Sequence, residues 1–598
     1  MLSSSPAPTG LRRYLPAIGT PTYHLMLAVV AIFILGPLGG ISAAFMNFSI
    51  GFFVGGQVLA GILGSVVTLP YGPEGKHGAN YMQTMAASVA GMCGMAVLIQ
   101  ARHWLGLPEV PGWELALFYC CIGMFGVGIG MLYTPVLVDR MQLTFPSGFA
   151  VANILRALTD PSLLRRSVAK LGGGMAVGYA VGLGSIKVAV LGATGLSVST
   201  LGAGMIVGAR IAIPALVVAL IGWCAQPHLV AIGWLESGDP YRKIGFIIAL
   251  GTILGAALID IVLILFQAAR RFQTKLPVNP VPQEDWKRVN FWRLVLWVVF
   301  WGAAVVLSGH FVLGEPLRFL FIAVGLCFLF VLVNGISLGI SDSNPISSAF
   351  VLTVFILAAA GLTNPGTGLM CASILLIACS EGGDMQQDRS TGWRLGTNRI
   401  AQFRYQMIGI VFGAVFAVLL AKIFLQAYPV LQLDQFGHDV PGAQHWQSAM
   451  TYKFVGALRG ITEAQPHVLQ ALWLGLAIGL ATEVIRKLVK RNPRYHAFRD
   501  ASTTGRNTDF LFDAVVMPSP YASSFGGFVE ILTVLWWTGG GIGASLFNVF
   551  SAGRAPVNEA DALPADMSTM SLAGGGLIAG DSLAALTVGV YGLLSTVL

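Results

Sequence analysis

Charge is the scarcest property of this 598-residue sequence. It carries 35 Lys and Arg and 27 Asp and Glu, a tenth of its residues, against about a quarter in a soluble domain. A soluble protein of this length needs a charged, hydrated surface, so a soluble enzyme and a disordered chain are both excluded. Cysteine is sparse too. The seven residues (Cys93, Cys120, Cys121, Cys224, Cys327, Cys371 and Cys379) form no CxxC pair and lie in apolar stretches. That excludes a disulfide-rich secreted scaffold and reads instead as small packing residues. The nine histidines are scattered without helical metal spacing, so no metal site is expected. GxxxxGK[ST], HExxH and GxSxG are all missing, which argues against ATP-driven transport by this chain, against an enzyme, and against a cofactor.

What is present is apolar. Hydrophobic residues make up 55% of the chain, and 74 residues are glycine. Roughly sixteen segments approach the ~20 apolar residues that cross a bilayer, which implies an all-α polytopic membrane protein with about 14–16 transmembrane segments. Fourteen spans plus two half-helices fit equally well. Several segments are interrupted, near residue 150 by Pro146 and Gly148, near 210 by Arg210 and Pro214, and near 380 by Glu381-Gly382-Gly383-Asp384. Non-helical backbone at membrane depth survives only inside protein or beside a wet cavity, so broken or re-entrant helices are expected. An internal repeat is compatible with this pattern.

Residues 270–293 hold six positive and two negative side chains, and residues 486–513 hold seven and three. Both stretches read as cytoplasmic by the positive-inside rule. Each carries +4, so together they account for the whole net charge of +8, and no nucleic-acid signal remains. The expected organisation is a cytoplasmic tail (1–22), a first bundle half (23–268), a basic loop (269–293) and a second bundle half (294–598). The first hydrophobic segment is expected to be retained as a helix, because no cleavage-site pattern follows it. The polar interval 428–466 reads as an external loop with an interfacial helix around Lys453 and Arg459, and 486–513 as a cytoplasmic loop.

Ionisable residues inside apolar segments are costly and are functional candidates by default. They are Lys187, Arg210, Asp260, Glu530 and Asp581. Internal ion pairing is the plainer alternative for each. The densest polar cluster is Ser380 to Gln406. Glu381, Asp384 and Asp388 are spaced at three and four residues, which puts them on one face of a helix. Gln387 and Arg389 stand beside them. A second polar break, Asn334 to Phe350, contains Asp342, Asn344 and Pro345, a helix-capping pattern whose N-terminus attracts anions. A third, Leu143 to Leu155, holds Pro146, Ser147, Gly148 and Asn153.

Five of these elements occur in an order that resembles the oligopeptide transporter superfamily, and within it a bacterial-type member of the yellow-stripe-like branch. ANYMQTMAASVAG resembles its N-x-x-Q-T segment, and LTFPSGFAVANIL its FPSG element. GISDSNPISSAF is similar to the G-x-x-D-x-N turn. GGDMQQDRSTGWRLGTNR resembles the D-x-x-Q-D-x-K-T-G signature, and GGGLIAGDSLAAL the closing glycine-rich element. This sequence departs from the pattern at Ala79, at Ser390 and at Asn398.

The resemblance implies a secondary active importer in the cell membrane. Its expected partners are membrane lipid, protons, and a small peptide, peptide conjugate or metal chelate as cargo, with a homodimer left open. The expected activity is proton-coupled symport of short peptides or peptide-like solutes by alternating access. An importer of metal chelates of amino-acid-derived ligands is the first alternative, and a channel the second. Asp342, Asp384 and Asp388 are expected to meet protons or a substrate amine, and Arg389 and Arg210 a substrate carboxylate.

Overall fold

The computed structural model describes residues 15–49, 56–159, 161–187, 198–273, 284–341, 344–435, 446, 448–460, 466–528, 531–551 and 569–597. Among them every regular element is helical. Among the described residues eight helices are long and apolar enough to cross a membrane, including Gly112–Arg140, Leu317–Gly339, Pro365–Leu395 and Arg399–Ala427, and Ile346–Ala359 is a shorter apolar helix. The protein is thus an all-α polytopic membrane protein.

Pro365–Leu395 is the axis of the arrangement, and its ends are written in the sequence. Asn364 caps its start, accepting from Gly366 N at 2.8 Å and Thr367 N at 3.3 Å. Pro365 occupies the first turn, where its missing N–H costs nothing. Gly396 ends it in the left-handed conformation, φ +71°, which glycine adopts without the strain a Cβ brings. In between, the helix is buried on nearly every side. It packs against helices Gly75–Gly94, Gly112–Thr134, Pro146–Thr159, Leu317–Ser341 and Ile346–Ala359.

The expected break near residue 380 is not there, because the helix runs unbroken through Glu381-Gly382-Gly383-Asp384. Its glycines serve packing instead. A Cβ on Gly382 would lie 3.0 Å from Gly126 O, and one on Gly130 would lie 2.4 Å from Gly382 O. A Cβ on Gly383 would meet Asn344 Nδ2 at 2.5 Å. The same device joins helix Arg242–Gln273 to helix Pro466–Lys490, where Cβ atoms on Gly475 and Gly479 would lie 2.0 Å from Ile248 O and Thr252 O. Small residues let backbones approach where lipid supplies no hydrophobic drive.

The interruptions fall in the neighbours of the central helix. Chain direction changes at Phe145, a buried residue with φ +45° whose N–H donates to Gly339 O at 2.8 Å. The short helix Pro146–Thr159 follows. Gly208, with φ +79°, separates helix Val198–Val207 from helix Ala209–Ala231. Pro345 opens helix Ile346–Ala359.

Within 428–466 there is a helix, Ala449–Arg459, whose apolar face packs on protein. Helix Ala449–Arg459 buries Phe454, Val455 and Leu458, Phe454 stacks on Phe350 at 4.0 Å, and Thr451 Oγ1 donates to Gln100 Oε1 at 2.6 Å.

Candidate functional site

The acidic row lies on the central helix, where the three- and four-residue spacing of Glu381, Asp384 and Asp388 turns it toward helix Gly75–Gly94. Glu381 and Asp388 are fully buried. Ser88 Oγ donates to Glu381 Oε2 at 2.9 Å, and Gln83 Nε2 donates to Asp388 Oδ1 at 2.7 Å. Gly91 makes room between them. A Cβ there would meet Asp384 Oδ2 at 3.0 Å and Glu381 Oε1 at 3.1 Å, so the two carboxylates face one small space.

Helix Arg399–Ala427 closes the same site. Gln402 Nε2 donates to Asp388 O at 2.9 Å and to Thr84 Oγ1 at 3.0 Å. Gln406 Nε2 donates to Glu381 O at 3.2 Å. The four-residue spacing of these glutamines matches one helix face to the acidic row.

Arg389 is the unusual member. Its side chain is 1% exposed, and its Nε donates only to Met385 Sδ, at 3.0 Å. Nη1 and Nη2 have no hydrogen-bond partner among the described residues. Glu381 Oε1, Asp388 Oδ2, and the Oε1 atoms of Gln83, Gln402 and Gln406 are likewise without partners there. Buried polar groups are nearly always paired, and a buried charge without hydrogen bonds is costlier still. The site therefore holds strong donors at Arg389 and strong acceptors at Glu381 and Asp388 that are unpaired among the described residues.

The other expected residues are distributed as follows. Asn344 is brought to the opposite face of the central helix. It accepts from Asn334 Nδ2 at 3.1 Å and donates to Cys379 O at 3.0 Å. Gly148 packs on the same helix, where a Cβ would lie 2.8 Å from Gln387 O, and Thr391 Oγ1 donates to Gly148 O at 3.0 Å. Pro146 and Ser147 form the start of that short helix, and Asn153 is buried farther along it. Pro345 is buried beside Asn344.

The remaining candidates lie elsewhere or outside the described residues. Arg210 belongs to a separate ion network, with Nη1 at 2.9 Å from Asp509 Oδ2 and 3.0 Å from Asp513 Oδ2. Asp581 packs against helix Pro161–Lys187, where a Cβ on Gly182 would meet Asp581 Oδ1 at 2.6 Å. Lys187 ends that helix, and its side chain lies outside the described residues, as do Asp342, Glu530 and the side chain of Asp260.

Gln83, Thr84, Ser88, Gln402 and Gln406 were not among the expected site residues. Their signal was present as polar side chains one helical turn apart inside apolar runs. Being uncharged, they cost less inside an apolar segment than ionisable residues do and so carry a weaker signal.

A search of curated proteins returns no match. A family model described as OPT oligopeptide transporter protein matches residues 24–183 and 281–591.

Proposed function

Because the chain belongs to the oligopeptide transporter family, whose members are transporters, we propose that it is a proton-coupled symporter of short peptides or peptide-like solutes. The observation that carries this reading is Arg389, a buried guanidinium with two unpartnered nitrogens, next to Asp388 on a helix that also bears Glu381 and Asp384. A zwitterionic peptide supplies what both ends lack, a carboxylate for Arg389 and an ammonium for the acidic row. Amide groups along its backbone suit Gln83, Gln402 and Gln406. Burial strengthens each of these interactions, because little water competes.

Coupling follows from charge. The three carboxylates of the row outnumber the Arg389 guanidinium beside them, and neutralisation comes from a substrate ammonium or from protons. Exchange of one for the other links the two fluxes. Alternating access would proceed by motion of the short helices beginning at Pro146 and Pro345 against the unbroken central helix. The cytoplasmic membrane is the proposed location.

The test is accumulation in proteoliposomes. An inward proton gradient should drive labelled dipeptide uptake above the external concentration, and an uncoupler should abolish it. Asp384→Asn with Asp388→Asn should retain binding of some cargo but lose gradient-driven accumulation. Full accumulation by that double variant would overturn the coupling role, and uptake that never exceeds equilibration would indicate a channel.

The yellow-stripe-like features of the sequence favour metal chelates as a second cargo class. Amino-acid-derived chelators present the same carboxylates to Arg389. If chelate uptake is not displaced by excess dipeptide, the peptide reading gives way to the chelate one.

A further inference from the structure

A cavity of about 130 Å³ lies away from the acidic row, walled by Leu132, Pro135, Val289 and Phe291 and edged by Lys287 and Arg399. It sits where helices Gly112–Thr134, Phe291–Phe311 and Arg399–Ala427 begin or end. Its chemistry is two-sided. One side is cationic. Arg399 is 3% exposed and binds Asp139 through both terminal nitrogens, with Nη1 to Oδ2 at 2.8 Å. Its Nε remains without a partner among the described residues. Lys287 Nζ reaches Glu284 at 3.2 Å. The Trp286 ring has Lys287 Nζ at 4.7 Å and the Arg399 guanidinium at 5.7 Å from its centroid, so the indole holds the two cations at a common position.

The other side leads into the membrane. Helix Phe291–Phe311 starts at the cavity, and Trp292, Leu296, Val299 and Phe300 along it are all more than 60% exposed. Their spacing of three to four residues forms one continuous apolar stripe. A soluble anion would use the cations and leave the stripe bare. A lipid uses both, with its phosphate at the cations and its acyl chains along the stripe. Residues 270–293 read as cytoplasmic by their charge, and that leaflet carries the anionic lipids.

We propose that this cavity seats the headgroup of an anionic glycerophospholipid from the cytoplasmic leaflet, held by Lys287 and by the Nε of Arg399. Its occupancy ties helix Phe291–Phe311 to helix Arg399–Ala427, which carries Gln402 and Gln406 of the acidic site.

Native mass spectrometry of the detergent-purified full chain tests this. The protein would be titrated with phosphatidylglycerol, with phosphatidylcholine, and with glycerol phosphate as a soluble competitor. The expected result is preferential retention of one phosphatidylglycerol per chain, weakened about fivefold or more by Lys287→Glu, since one cation near the membrane surface is removed. Val289→Trp, which fills the cavity without altering charge, should reduce retention as well. Arg318→Gln, at the start of helix Leu317–Ser341, should leave it unchanged.

Equal retention of the two lipids would overturn the proposal. So would loss that is the same for Arg318→Gln as for Lys287→Glu. Displacement of phosphatidylglycerol by glycerol phosphate at equal concentration would also overturn it, by assigning the cavity to a soluble anion. Unchanged melting of the Val289→Trp protein in detergent would separate a blocked site from a misfolded chain.

Discussion

Arg389 concentrates the energetics of the site in one side chain. A buried guanidinium with free nitrogens costs stability in the empty protein, and a ligand carboxylate recovers that cost on binding. Replacing it with Lys keeps the charge but loses the planar fork. The Arg389→Lys protein should fold, and its KM for a dipeptide should rise about 10- to 100-fold, as expected for a lost charged hydrogen bond. Transport kinetics in proteoliposomes check this, and an unchanged KM would remove Arg389 from the binding site. A second residue-scale effect concerns pH. Burial raises the carboxyl of Asp509, but the Tyr495 hydroxyl, Arg210 and Lys490 outweigh it and hold Asp509 below its usual range. A depressed carboxylate stabilises the fold above its unfolded value, about 3.9, and loses that contribution as pH falls through the folded value. Asp509→Asn should therefore lower the melting temperature at neutral pH, with a difference from the parent that narrows as the medium is acidified below about pH 4.

Single helices show how differently sequence signals translate. The central helix starts at Asn364-Pro365 and stops at Gly396, signals with a physical cause that the sequence reading did not use. Gly382 and Gly383 carried the opposite lesson. Glycine inside an apolar run reads equally as a break or as a close contact, and only the facing Gly126, Gly130 and Asn344 decide between them. The acidic row was legible from spacing alone, whereas the glutamines that complete it depend on which helices pair, which local sequence does not specify. Two substitutions test the element-scale account. Asn364→Ala should destabilise the protein by about 1 kcal/mol through the lost cap. Gly130→Val should cost more, because its branched side chain would strike the Gly382 carbonyl on a backbone that has no freedom to yield. Melting in detergent orders the two, and a Gly130→Val protein as stable as the parent would contradict the contact.

For the whole molecule, composition was enough to give the class. A tenth charged and more than half apolar leaves only a bundle of helices in lipid, and the helical architecture agrees. The pairing of distant segments was not accessible in the same way, as between Pro161–Lys187 and Thr569–Val597. It rests on glycine contacts that any of many glycines might have made. The unbroken central helix also has a metric consequence. Glu381 and Asp388 are seven residues apart, which at the helical rise sets the row at about 10 Å. An extended peptide covers about the same distance in three residues. On the proposed peptide reading, a rigid row cannot stretch to follow a longer cargo, and the helix would act as a ruler. Uptake measured across a series from dipeptide to pentapeptide should fall off beyond the tripeptide, and a flat series would mean that the row does not measure its cargo.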